Sequence, residues 1–392
     1  MIPTSSSSGS PKRCGRVSAS RTRSTSSATR YCGPPLDGSY GLAPMPPDET
    51  ELDTMIIDTD RHVTVESYED LFPHMSMSWR KHFERGEWLE SVTVAGDHVR
   101  VSDRFVHEPP THTGAESEAD SFSLLLPHHG LTVNGWADQV AARVFLEAIN
   151  SYGAEHWVSP TALPVTVVSP ADPAWSAQEI RRRAAANTTG AVSLPLTTTM
   201  LGSQVWDPIF EACVETDLPL VVHFSGVEGR YAGAPALAGG VHSNALSRLT
   251  LMPHLAESNI ASLTYEGALV RFPELRIIFT GFGFTWLPSL LWRLDREWRT
   301  FRHDIPWVTE PPSEQVLNNM WFSTWPVGEA ADTDEWESAF TERLRDRVVY
   351  GSHSPHEGDT PADIETHLGA EWTNRIVRSG AAALARPVPL EV

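Results

Sequence analysis

The stretch "VWDPIFEACVETDLPLVVHFSG", residues 205–226, holds the pattern on which the fold turns. Its first part, 206–216, reads as an amphipathic helix. Its second part, "LPLVVHF" (218–224), reads as a buried strand that ends on His223. A helix followed at once by a continuous Val/Leu strand is half of a βαβ unit, because a strand covered on both faces has no polar side to alternate.

Working outward, the same signature recurs. "TMIID" (54–58), "LPVTVV" (163–168) and "AVSLPL" (191–196) precede it, and "LRIIFTG" (275–281), "MWFSTW" (320–325) and "RVVYGS" (347–352) follow. Helices are predicted over 137–151, 176–186, 286–302 and 332–345, with Asp172 and Pro173 just ahead of the second. Seven strands are visible, and an eighth is expected inside the poorly patterned 88–135. An open doubly wound sheet would want a glycine-rich turn after its first strand, and none is present. The pattern therefore predicts an α/β fold, a (β/α)8 TIM-like barrel.

Composition sets the outer limits. The chain has 392 residues, 41% hydrophobic and 20% charged, with a formal net charge of −20. That acidity argues against nucleic acid or an anionic membrane as partner, and no apolar run approaches the roughly 20 residues needed to cross a bilayer. Cys14, Cys32 and Cys213 show no paired spacing, so a reducing compartment, the cytoplasm, is expected. Residues 1–47 carry six basic residues, one acid and many serines without apolar periodicity. They are predicted to be a disordered Arg/Ser-rich leader. A transit peptide and an over-extended start, with Met45 or Met55 as the working start, are both compatible with it. The barrel is assigned to 48–392, where 24 basic residues face 49 acidic ones, a net of −25.

Barrel active sites sit at the C-terminal ends of the strands. Asp60 and His62 flank one residue after the first strand and so point the same way on an extended backbone. His223 ends "LPLVVHF", and His353 follows the last strand. Taken singly, each reads as a hydrogen-bonded structural residue. Three strands delivering such residues to one end suggest a divalent metal site on Asp60, His62, His223 and His353. Glu66 reads as a solvated acid, and His128–His129 as an exposed pair able to cap the mouth. His242 and His254 read as non-ligands, and Trp206, Trp286, Trp292, Trp298, Trp321 and Trp325 as packing.

The motif order resembles the amidohydrolase-related family (amidohydrolase family 2), which includes the aminocarboxymuconate semialdehyde decarboxylase-like enzymes. "IIDTDRHV" is similar to its D-x-H strand, and 205–226 to its W-x-P…strand-His segment. "EGALVRFPELRIIFTGFGFTWLP" is similar to its F-P-x-L-R…W-L-P block, and "YGSHSPHEGDTP" occupies its S-D-Y-P-H position. The likeness covers roughly 54–390. It implies Asp60 and His62 as first-strand ligands, His223 as the fifth-strand ligand, and His356 as the last family histidine.

Two departures stand out. Gly281 stands where the family places Glu or His, and His353 where it places the acid that takes a proton from the attacking water. An imidazole whose nitrogen is on a metal is no longer a base. With no side chain at 281, a second metal is not expected.

Three functions follow as expectations. The first is an altered barrel, zinc-binding by preference with iron or manganese allowed. It would be the companion subunit of a heteromeric monooxygenase or hydrolase of the 2-aminoisobutyrate hydroxylase type, acting on a small carboxylate or amino acid. Its partner would be a homologous barrel, or the chain itself as an oligomer. The alternative is a self-sufficient mononuclear hydrolase or decarboxylase of a small carboxylate. There Asp60, His356 or His353 would do the proton work and Arg230 would anchor the carboxylate. A metal-free binding protein, the third, is disfavoured because Asp60, His62 and His223 are retained together.

Overall fold

A computed structural model describes residues 55–84, 120–229, 233–237, 242, 244–327, 338–356 and 358–384. The leader and Arg230 lie outside the described residues. Eight parallel strands follow one another in chain order around a (β/α)8 barrel. They are β1 Ile56–Val63, β2 Ser121–Pro127, β3 Ala162–Val167, β4 Ala191–Ser193, β5 Leu220–His223, β6 Ile277–Thr280, β7 Met320–Ser323 and β8 Val348–Val349. The eighth strand expected within 88–135 is β2. β1 runs five residues past the predicted Asp58, because Asp58, Asp60 and His62 are polar for the site's sake and hide the strand from an apolar pattern.

The helices start where local chemistry supplies caps. Helix α1, Gln139–His156, is capped by Asp138, whose carboxylate accepts from Val140 N–H and Ala141 N–H. Helix α2, Pro173–Ala185, begins on its proline with Asp172 accepting from Trp175 N–H at 3.1 Å, three residues earlier than predicted. Helix α3, Asp207–Thr216, ends on Asp217 in the left-handed conformation. The turn is locked by buried Arg276, which donates to the Asp217 carbonyl at 2.6 Å. Helix α4, Leu287–Phe301, also starts on a proline turn. Of the helix predicted at 332–345, the described residues contain Glu342–Arg345 as a named helix.

Along β5 to β8 successive residues enter different cores. Leu220, Val222, Ile277, Phe279, Met320, Phe322 and Val348 pack in one cluster with the helices, while Val221, Ile278, Trp321 and Val349 belong to another. Two residues beyond this second set, on the same side of each strand, come His223, Thr280, Ser323 and Gly351. The layering of the barrel therefore delivers a fixed set of side chains to the mouth.

Closure occurs between β8 and β1. Thr59 N–H and its Oγ1 both donate to the Tyr350 carbonyl, at 3.0 and 2.8 Å, and His62 N–H donates to the Ser354 carbonyl at 2.7 Å. Helix α5, Ala370–Leu384, covers this seam, with Ser379 Oγ bonded to the Val348 carbonyl at 2.6 Å. Gly380 permits the approach, since a Cβ there would lie 2.5 Å from Ile57 Cγ2.

Candidate metal centre

The site is built on the seam. A one-residue bulge between Asp58 and Arg61 re-aims the end of β1. Asp58 then holds the two sides together: its Oδ1 accepts from Asp60 N–H and Ser352 N–H, each at 3.0 Å, and its Oδ2 accepts from Ser352 Oγ at 2.6 Å. Burial raises the Asp58 carboxyl against the opposing hydrogen bonds from Ser352.

Asp60, His62, His223 and His353 are all buried and converge above the barrel. His62 Nε2 and His223 Nε2 lie 3.4 and 3.5 Å from Asp60 Oδ1, and His353 Nδ1 lies 3.5 Å from Oδ2. His62 Nε2 and His353 Nδ1 are 3.2 Å apart. Four donors about 2.05 Å from one ion would stand about 3.4 Å apart on a tetrahedron. The spacing is that of a ligand set.

Hydrogen bonding supports the fit. Both Asp60 oxygens and His223 Nε2 are buried without a hydrogen-bond partner. Leaving a buried carboxylate unsatisfied costs several kcal/mol unless a cation compensates it. His223 Nδ1 donates to the Phe224 carbonyl, which fixes the tautomer and leaves Nε2 with its lone pair toward Asp60. Burial pushes His223 down to about 3 and also lowers His62, so both are neutral donors at physiological pH. Burial would raise Asp60, but the surrounding imidazoles outweigh it and hold the carboxyl well below its ordinary range. Asp60 is thus held as a carboxylate among three imidazoles.

Aromatic rings just beyond β5 and β7 support the histidines. Trp325 stacks on His353 with ring centres 3.5 Å apart and 10° between planes. Phe224 stacks on His223, with centres 4.5 Å apart. Trp325, read from sequence as packing alone, is thus part of the site; its signal was parity, since it follows lumen-facing Trp321 and Ser323 at two-residue steps. His353 itself adopts a φ of 53°, an uncommon conformation for a residue other than glycine.

Gly281 is explained by space. Its φ is +81°, and a Cβ would lie 2.7 Å from His223 Nε2 and 2.8 Å from Phe224 Cε1. A glutamate or histidine cannot occupy this position without displacing His223. The absent side chain is a condition of the present ligand arrangement.

His128 and His129 correct an expectation. They are half-buried at the mouth, not exposed, because β2 ends immediately before them. His129 Nδ1 pairs with the Tyr68 hydroxyl, and burial lowers it to about 4. Burial and the neighbouring imidazoles of His129, His62, His356 and His223 hold His128 well below its ordinary value. Exposed His356 faces His128, Nε2 to Nδ1, at 3.4 Å. Glu66 is exposed, as is His254 on the helix Pro253–Tyr265.

A model of the amidohydrolase family (described simply as "Amidohydrolase") matches residues 57–375, a span that runs from the second residue of β1 through β8 and holds all four converging side chains. The chain belongs to the amidohydrolase family. An amidohydrolase from Mycobacterium avium subsp. paratuberculosis K-10 superposes with a TM-score of 0.61 at 20% identity, over 84% of this chain and 99% of that one. The 5-carboxyvanillate decarboxylase of Sphingomonas paucimobilis gives 0.60 at 19% identity, over 84% and 98%. A dihydroxybenzoic acid decarboxylase from Polaromonas sp. JS666, with bound manganese and 2-nitroresorcinol, gives 0.55 at 15% identity, over 84% and 97%. These likenesses establish the shared fold. No curated protein sequence matches the chain. No helix among the described residues is long and apolar enough to cross a membrane.

Proposed function

We propose that this amidohydrolase-family chain is a metal-dependent decarboxylase of a small conjugated carboxylate, complete in itself. The observation that carries the reading is Asp60, buried with both oxygens unpartnered among the nitrogens of His62, His223 and His353. All four side chains come from one chain. The companion-subunit role expected from the altered residues finds no support in the family match or in the related folds, several of which are decarboxylases.

Hydrolysis needs a base beside the attacking water. His353 stands where that acid would be, Gly281 has no side chain, and Asp60 remains anionic as a ligand. Decarboxylation makes a smaller demand. The carbon–carbon bond breaks, its electron pair stays on the substrate carbon, carbon dioxide leaves and a proton takes its place. A divalent ion, when bound by the four side chains, would supply the positive charge that holds the carboxylate and stabilises developing negative charge. The Asp60, His62, His223 and His353 donor set of one oxygen and three nitrogens suits zinc, iron or manganese, and manganese occupies the Polaromonas relative.

The chain's own residues do the rest. Hydrogen bonding to Phe224 keeps His223 aimed, and Trp325 keeps His353 from rotating away. Phe224 and Trp325, 6.3 Å apart and 28° from parallel, offer a flat apolar wall to a planar acid. The replacing proton enters from the mouth, past exposed His356 and half-buried His128.

The test is to load the purified full-length chain with manganese or zinc and follow carbon dioxide release from a panel of hydroxybenzoates and related conjugated acids. Release that disappears in Asp60→Asn is expected. Metal content near zero, or turnover only after a second barrel protein is added, would sink the reading.

A further inference from the structure

Above the buried four, three imidazoles from β1, the end of β2 and the loop after β8 converge a second time. One ring nitrogen from each of His62, His128 and His356 lies within 4.8 Å of the other two. His128 Nδ1 and His356 Nε2 are 3.4 Å apart. That is long for a nitrogen–nitrogen hydrogen bond, which prefers about 3 Å, and close to the 3.4 Å or so between two nitrogens on a tetrahedral ion.

His62 links the two groups. Its ring centre lies 4.7 and 4.8 Å from those of His353 and His223, and 5.1 and 5.7 Å from those of His356 and His128. Its Nε2 faces Asp60 and His353. Its Nδ1 is buried without a hydrogen-bond partner. An imidazole has two ring nitrogens, and here the inner group uses only one.

We infer that the barrel mouth holds a second divalent transition-metal ion, bound by His128, His356 and the second ring nitrogen of His62. This goes beyond the decarboxylase reading and depends on it only in that the inner ion shares His62. The side chain missing at Gly281 does not forbid a second ion, because these ligands come from the seam rather than from β6. With only nitrogen donors the outer site prefers later first-row ions (cobalt, nickel, copper, zinc) over manganese or magnesium. Exposed His356 leaves coordination positions open to water or substrate. Binding both ions makes His62 an imidazolate, its remaining ring proton passing to solvent, so one proton is released per outer ion bound.

The experiment is a titration of the full-length, metal-stripped chain with cobalt(II) alone. It is followed by visible absorption, by proton release in weak buffer, and by metal content after free ion is removed. Two cobalt ions per wild-type chain are expected, with proton release accompanying the second. The His128→Ala/His356→Ala double variant should bind one. His356→Gln, a single change at an exposed position, should weaken the second ion at least ~10-fold. Circular dichroism and melting temperature establish that each variant is folded. Wild-type saturation at one ion, or two ions retained by the double variant and by His356→Gln, would overturn the outer site. One ion that is lost with Asp60→Asn but kept by the double variant would remove the outer site alone and leave the decarboxylase reading standing. No uptake at all would remove both.

Discussion

The two halves of the barrel mouth are built from different materials. On the seam side, β1, β2 and β8 supply Asp58, Asp60, His62, His128, His353 and His356, with His223 reaching in from β5. On the opposite side, β6 and β7 supply Thr280, Gly281, Ser323 and Trp325, none of them metal-ligand chemistry. The first half is polar and converging. The second is a close-fitting wall whose value lies in what it leaves out, since even a methyl group at Gly281 would strike His223 Nε2. The site is positioned as much by that wall as by its ligands.

Four measurements would break or sharpen this contrast. The largest effect belongs to the seam side: Asp60→Asn removes the only anion of the inner group, and metal affinity should fall by at least ~100-fold. Elemental analysis after dialysis reads this directly, and retention of stoichiometric metal would mean that Asp60 is not the anchor. Next is Gly281→Ala on the wall side. It forces a side chain into the left-handed region and onto His223, so a loss of about 1–3 kcal/mol is expected together with weaker metal binding. A melting temperature and metal content equal to wild type would show that the wall is not tight.

Ser352→Ala tests the seam without touching a ligand. It removes the 2.6 Å bond to Asp58 and should lower metal affinity about 10–100-fold, as loss of a ligand's hydrogen-bonded support usually does. An unchanged affinity would confine Asp58 and Ser352 to a purely structural role. The smallest effect is in pH dependence. His129 is lowered by burial to about 4, so the unfolded chain takes up its proton first as pH falls below about 6.5. Stability from this group is complete above that pH and declines toward pH 4, by up to about 1.4 kcal/mol per unit. His129→Gln should flatten the decline of the melting temperature in that window by one proton's worth, and an unaltered slope would count against it.

The sequence exposed the apolar part of this design well and the polar part less well. Strands β3 and β5 to β7 are mainly apolar runs, legible because both faces are covered. The apolar pattern of β1 stops at Asp58, since residues that face the lumen to serve the site look like a loop. Asp60, His62, His223 and His353, which the structure brings together, are legible as a group because each ends or follows a visible strand. His128 is obscure for the converse reason: the end of β2 lies in a poorly patterned region, and local pattern does not place the next residue at the mouth. Gly281 showed from sequence only that a side chain was missing. That the space is filled by His223 depends on residues 58 positions apart coming into contact, which local pattern does not encode. The companion role rests on substituted chemistry at Gly281 and His353, and neither the family match nor the related folds support it, several of those folds being decarboxylases.

The Asp58–Ser352 pair joins residues 294 positions apart, nearly the full length of the barrel. Contacts of such separation carry the largest loop-closure entropy and are favourable only after the intervening strands are in place. In folding terms the seam is therefore a final event, and the ligand group exists only once the last strand has arrived. A chain interrupted before β8 could form much of its core and still have no centre. Appearance of metal binding during refolding should accordingly follow the slowest phase in which β8 docks, making the site its own report that the barrel has closed.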